Sequence, residues 1–188
     1  MKFLSDTGRL HIELYGRKHI KDTLLFYKEN AAALKEFEPL RSAEFYTLGY
    51  HKRQFCRDRK DMKKLRYLSF VISKKEEPRR IIGYINVSDI IFGVFDSCRV
   101  GYKIDKNERN KGYMQEALKK VADLLFNELG LHRIEANVMP RNAPSIKLLR
   151  NLGFKEEGYS EKYLRIYGKW QDHIHFALIN DKGDETDA

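Results

Sequence analysis

Three stretches carry residue types at spacings that could do chemistry. The first, "DKNERNKGYMQEALKKV" (105–121), is a charged turn running into a helix, with Arg109, Lys111 and Gly112 where the helix begins. The first backbone N–H groups of a helix have no internal partner, so they can bind an anion, helped by the positive end of the helix dipole. Glycine permits close approach and unusual backbone angles, and Arg109 and Lys111 add charge. Alone, the stretch cannot be told from a solvated turn, and no G-x-x-x-x-G-K-[ST] or G-x-G-x-x-G accompanies it. The second stretch, "NAPS", sets Asn142 and Ser145 at a helix start, as caps or as polar groups facing a ligand. In the third, "FEP", Glu38 sits in a break between helices, where a carboxylate could orient an ammonium or merely end a helix.

Other reactive side chains read more plainly. His173 and His175 share one strand face, as any i, i+2 pair does; with no further ligands they read as structural, and no metal site is expected. Cys56 and Cys98 stand in unrelated contexts and read as reduced thiols.

Elements must position these groups. "RLHIELYG" (9–16) alternates apolar and polar residues like a strand, and 17–37 is helical. Pro39 cannot continue that helix and biases Glu38 away from helical angles. A second helical region runs over 43–66. Strands are expected at 67–73, 80–90 and 97–104, then a helix over 113–129 that Gly130 ends. A strand at 132–139, a short helix at 143–153 and two closing strands, "FKEEGYSE" and 170–179, complete the order. The strand–helix–strand unit at 97–139 implies one parallel pair within a sheet of antiparallel hairpins.

The 188 residues are 42% hydrophobic and 34% charged, which suits one soluble domain. No apolar run is long enough to span a bilayer, and "MKFLSDTG" lacks the features of a secretory signal, so a cytoplasmic protein is expected. Net charge is +9, which favours anionic partners: nucleic acid, a ribosome or a polyphosphate cofactor. The densest basic block, "YHKRQFCRDRKDMKKLRY" (50–67), has Phe55, Met62 and Leu65 at near-helical spacing and reads as an amphipathic helix with a charged outer face. Too few aromatics are interleaved there to expect direct nucleic-acid readout. The tail, 181–188, is acidic and expected to be disordered.

Taken together, the motifs resemble the GNAT acetyltransferase superfamily, whose acetyl-CoA loop follows [Q/R]-x-x-G-x-[G/A]. That pattern falls on Arg109, Asn110, Lys111, Gly112, Tyr113 and Met114. "NVMPRNAPSIKLLRNLGFKEEGY" is similar to the family's second signature, and "YLRIYGKWQDHIHFAL" to the ending of ribosomal-protein-alanine N-acetyltransferases of the RimJ and RimL types. "FYKENAAALKEFEPLR" brings the chain closest to RimJ. The resemblance spans 9–180 and implies a single-domain GNAT fold: a mixed twisted sheet of about six or seven strands, helices on both faces, and a parallel pair around 97–104 and 132–139 that splays apart. It implies acetyl-CoA as co-substrate. Arg109 to Met114 would hold its pyrophosphate, and Tyr102, Lys103, Ile104, Asn137, Asn142 and Ser145 its pantetheine arm and thioester. Ser145 would protonate the leaving thiolate, with Glu38 and Tyr102 as further catalytic candidates. The chain departs from the pattern at Asn110 and Met114, often glycine or alanine in relatives. Leu149 replaces the tyrosine other GNAT enzymes use as acid, and Leu164 aligns with the glutamate proposed as base in RimL.

The acceptor follows from amine chemistry. Deprotonating an α-amine (pKa about 7.7–8.0) at pH 7 costs about 1–1.4 kcal/mol, against roughly 4.6 kcal/mol for lysine. With no obvious buried base in the sequence, the lean is to a protein N-terminus, a ribosomal protein included, acetylated by a monomer or homodimer. A small-amine acetyltransferase and a ribosome- or RNA-binding module with a vestigial site are the competing readings.

Overall fold

The computed structural model describes residues 4–181, so the acidic tail, Asp181 apart, lies outside the described residues. Eight strands form one sheet: β1 (Leu4–Asp6), β2 (Leu10–Leu14), β3 (Leu68–Lys74), β4 (Glu77–Ile91), β5 (Ser97–Ile104), β6 (Arg133–Val138), β7 (Lys155–Ile166) and β8 (Lys169–Ile179). Their order across the sheet is β1-β2-β3-β4-β5-β6-β8-β7. This corrects the expected six or seven strands. The addition is β1, three residues paired to β2 through Ser5 and Ile12, too short to show an alternating pattern. β7 also runs further than the sequence suggests, through an irregularity between Ser160 and Leu164.

Among the described residues four α-helices complete the domain: α1 (Ile20–Leu34), α2 (Leu48–Lys63), α3 (Tyr113–Asn127) and α4 (Ala143–Asn151). The helical region expected from residue 43 is split: a 3-10 turn (Ala43–Tyr46) precedes α2, and Thr47 caps α2 by accepting the Tyr50 N–H. Glu38 ends the first helical stretch in extended conformation, as the following proline requires.

Strand alternation sorts side chains to two faces. Leu68, Phe70 and Ile72 of β3 join the core beneath α3 and α4, where Ala117, Leu118, Val121 and Leu125 form the helix stripe. Val71, between them, turns the other way to Phe26 and Tyr84 beneath α1. Each buried leucine contributes about 1.5–3 kcal/mol. Within 50–67, all eight lysines and arginines are exposed while His51 is buried and Phe55, Met62 and Leu65 pack inward, the amphipathic division expected.

The feature that makes room for chemistry is the one parallel junction. β5 and β6 pair only through Ser97–Arg133, Cys98–Ile134 and Arg99–Glu135. Beyond these pairs the strands part, while β5 stays paired to β4 up to Ile104 and β6 to β8 up to Val138. Gly83 of β4 sets how closely β5 approaches: a Cβ there would lie 2.8 Å from the Lys103 carbonyl oxygen and 3.3 Å from Met114 Cε.

Candidate active site

The charged turn after β5 is a built structure rather than a solvated loop. Asp105 and Glu108 are both buried, 2% and 4% exposed. Arg80 ion-pairs with both, and Lys74 and Lys111 close on Glu108. Asn30 of α1, fully buried, accepts the Lys106 N–H at 2.8 Å. Burial alone would raise the Glu108 carboxyl, but the Lys111 hydrogen bond and the Lys74 and Arg80 charges outweigh it and hold it below the ordinary range. The turn thus presents a fixed backbone. Asn110 and Gly112 adopt left-handed angles, with φ of 61° and 79°.

Gly112 is the N-cap of α3 and offers no side-chain cap. The first helical hydrogen bond runs from Glu116 N–H to Gly112 C=O, so the amides of Tyr113, Met114 and Gln115 precede it. Arg109 reaches across to the Ala33 carbonyl at 3.1 Å, and Lys111 remains half exposed. Met114 packs inward, 6% exposed, which leaves its backbone for a ligand. Arg9, which the sequence reading overlooked, braces the cradle: it donates to the Lys111 carbonyl at 3.0 Å, ion-pairs with Glu116 at 2.6 Å and lies over the Tyr113 ring. No sequence motif marks it, because it arrives from the turn between β1 and β2, more than a hundred residues away. These features fit a diphosphate-bearing substrate.

At the opened strands, Tyr102 and Ser145 meet. The Tyr102 hydroxyl and Ser145 Oγ are 2.6 Å apart. Asn142, not Ser145, is the helix cap: its Oδ1 accepts the Ser145 N–H at 3.3 Å, with Pro144 in the first turn of α4. The Ser145 hydroxyl is therefore committed to Tyr102 alone among the described residues. Burial pushes the Tyr102 phenol up to about 12, the Ser145 hydrogen bond pulling only partly back, so it stays protonated at neutral pH. Ile104 packs beside Tyr102 against the α3 side of the core. Leu149, where relatives place a tyrosine, is fully buried, and Leu164 is exposed.

Lys103, next along β5, projects through the opposite face. Its ammonium is paired with Glu38 and lies 3.0 Å from the Tyr27 hydroxyl. Burial would lower this lysine, but Tyr27 and Glu38 outweigh it and keep it charged. Arg41 takes the second Glu38 oxygen at 3.2 Å. Glu38 thus has both oxygens satisfied, on the wall of a cavity of about 350 Å³ lined also by Tyr27, Lys35, Arg41, Tyr46 and Tyr167. The Tyr167 N–H donates to the Glu38 carbonyl at 3.0 Å, which ties the β7–β8 turn to the α1–α2 connection over this cavity.

Asn137 lies on that same face of β6, beyond the last β5–β6 pair, and its Oδ1 accepts from His175 Nδ1 at 2.7 Å. His173 is buried, which lowers its imidazole, and its Nδ1 donates to the Gln171 carbonyl. Among the described residues no group of three or more His, Cys, Asp or Glu is placed to hold a metal ion, and no helix is long and apolar enough to cross a membrane. Both cysteines are free.

Comparison with known proteins places this arrangement. Residues 9–155 match the family model described as an acetyltransferase (GNAT) domain. The [ribosomal protein uS5]-alanine N-acetyltransferase of Escherichia coli (strain K12) is 35% identical over 175 residues, covering 92% of this chain and 88% of that protein. The crystal structure of ribosomal-protein-S5-alanine acetyltransferase from Vibrio fischeri superposes with a TM-score of 0.90 at 33% identity, covering 95% of this chain and 97% of that one. Mycobacterium smegmatis RimJ, solved in complex with CoA-disulfide, shares the fold with a TM-score of 0.86 at 24% identity over 94% of this chain and 84% of its own. A fixed turn opening α3 after β5, an opened parallel pair and a family match over most of the chain agree: the protein belongs to the GNAT acetyltransferase family and is an acetyl-CoA-dependent N-acetyltransferase.

Proposed function

We propose that this enzyme acetylates the N-terminal α-amine of a protein, with ribosomal proteins among the candidate acceptors, by direct attack on acetyl-CoA in a ternary complex. One observation carries the reading. The split between β5 and β6 puts Tyr102 and Ser145 on one face and the Lys103–Glu38 cavity on the other, one residue away along the same strand.

On the donor face, the amides at the start of α3, with Arg109 and Lys111, hold the pyrophosphate. Gly101 to Ile104 and Asn142 line the pantetheine path, and Asn137 borders the opening from the opposite face. Alternate amides of β5 point away from β4 into the opening, where one stabilises the thioester oxyanion. Ser145 passes a proton to the departing sulfur and takes back the one released by the attacking nitrogen, while the Tyr102 hydroxyl holds Ser145 Oγ in place by their hydrogen bond. A free thiol titrates near about 8.5, so this relay need only assist.

The acceptor face supports an α-amine. The Glu38 carboxylate is met by both Lys103 and Arg41, so it orients the cavity wall rather than serving as the strong base a lysine acceptor demands. Lys35, Arg41 and part-buried Lys103 outnumber Glu38 in and beneath the cavity, which disfavours a polycationic acceptor such as a polyamine. The names of the Escherichia coli and Vibrio fischeri relatives point the same way.

The test is a panel of free N-terminal peptides set against amino acids, spermidine and aminoglycosides, read by release of the CoA thiol. Turnover on peptides, abolished by a blocked N-terminus, is expected. Turnover confined to small amines would overturn the protein-acceptor reading.

A further inference from the structure

The cavity beside Glu38 is lopsided in charge. The charged side chains on its wall are Lys35, Glu38 and Arg41. Lys103 meets Glu38 from beneath, so Lys35, Arg41 and Lys103 stand against a single carboxylate. Lys35 forms no ion pair among the described residues; its exposed ammonium rests over the Tyr167 ring, 4.6 Å from the centroid. Arg41 gives Nε and Nη2 to one Glu38 oxygen, at 3.3 and 3.2 Å, and lies over the Phe45 ring at 4.5 Å. Its Nη1 has no partner among the described residues. The Tyr27 hydroxyl accepts from Lys103 at 3.0 Å, so its own proton is left for a further acceptor.

We propose that this cavity selects acceptors with a carboxylate close behind the reactive amine: N-termini bearing aspartate or glutamate at the second, third or fourth position, held by Lys35 and Arg41. This rests on the protein N-terminus reading and names the kind of N-terminus. The cavity adjoins the opened strands. Lys103 leaves β5 one residue past Tyr102, and its side chain spans the gap to Glu38. Arg141, just before the Asn142 cap, donates to the Glu36 carbonyl and to the Gln171 side chain, both at 3.2 Å. With the Tyr167 N–H on the Glu38 carbonyl, the α1–α2 connection, the β6–α4 turn and the β7–β8 hairpin are joined at this point. An extended peptide rises about 3.3 Å per residue, so with its amine at the thioester the next few residues reach the cavity wall.

The bland role for these cations, neutralising Glu38, is filled by Lys103 and one edge of Arg41, which leaves Lys35 and Arg41 Nη1 over. The donor phosphates do not need them, because the start of α3 with Arg109 and Lys111 serves that end. Both cations are reached by solvent, so each contact is modest and screened by salt. The selection is therefore a preference of severalfold rather than an absolute requirement.

The experiment is steady-state acetylation, at low and at high salt, of peptides identical except at positions 2 to 4, where aspartate, asparagine or lysine is placed in turn. At its best position aspartate should lower the peptide KM about threefold to tenfold against asparagine, and lysine should raise it, both effects shrinking at high salt. A contact made equally before and during reaction moves KM rather than kcat. Lys35→Glu, at an exposed position, should reverse the order of aspartate and lysine, and Arg41→Gln should narrow the aspartate advantage. Equal KM values for aspartate and asparagine at all three positions, or an order unchanged by Lys35→Glu, overturns the proposal. So does a Lys35→Glu effect confined to the KM for acetyl-CoA, which would assign the lysine to the donor. If Arg41→Gln fails to fold by thermal melting, Lys35→Glu decides alone. Should the wild type acetylate only small amines, the protein N-terminus reading falls, and free aspartate against free asparagine still decides whether the cavity selects a carboxylate.

Discussion

At the scale of single residues, Ser145 shows what sequence could and could not say. "NAPS" left its hydroxyl open between capping and catalysis, because both demand a polar residue at a helix start. The structure divides the work: Asn142 caps, and Ser145 pairs with Tyr102, which lies forty-three positions back in sequence. That distance is why the pair was illegible, since only the crossing of β5 beneath α4 brings it together. Ser145→Ala and Tyr102→Phe should each reduce kcat, on the order of 10²-fold at most, with little change in acetyl-CoA affinity by calorimetry. A matching loss of affinity with kcat preserved would assign the pair to binding instead. Glu38 was rightly placed at a break between helices, but its partners Lys103 and Arg41 were hidden, one of them on a strand sixty-five residues away.

At the scale of elements, most of the plan was readable. β5 was bounded correctly, and α4 was started correctly at its cap but ends at Asn151, two residues before the expected 153, because caps are local signals and last turns tighten. β1 was missed, since three residues carry no period, and the 3-10 turn before α2 was merged with the helix. The turn at 105–112 could not be told by itself from a solvated turn, yet its acids are buried against Lys74 of β3, Arg80 of β4 and its own Lys111. That burial has a pH signature. Glu108 titrates below its ordinary 4.5 when folded, so the unfolded chain binds the proton more readily. Its stabilisation is complete above 4.5 and is lost as pH falls through the lowered folded value. Melting temperature should therefore drop on acidification below about pH 4.5, and Glu108→Gln should lower it at neutral pH while flattening that dependence. An acid response unchanged by the substitution would remove Glu108 from the account.

At the scale of the whole molecule, the positive charge is concentrated. The segment 50–67 holds eight lysines and arginines, all exposed, against Asp58 and Asp61. Asp58 is half-buried and hydrogen-bonded by Gln54 at 2.7 Å. Phosphate-rich polymers should be retained by this face in a salt-dependent way, with the log affinity falling linearly in log salt. Retention on heparin that survives replacing Arg57, Lys60 and Lys64 by glutamine would locate the charge effect elsewhere. The sheet as a whole has a second asymmetry. Ordinary sheets fray at their rims, where hydrogen bonds meet water, and are quietest at the centre. Here β5 and β6 share three residue pairs and then separate, so a seam inside the sheet is no longer than the three-pair β1–β2 rim. A sheet already parted at its centre can admit a long, thin substrate without unravelling an edge.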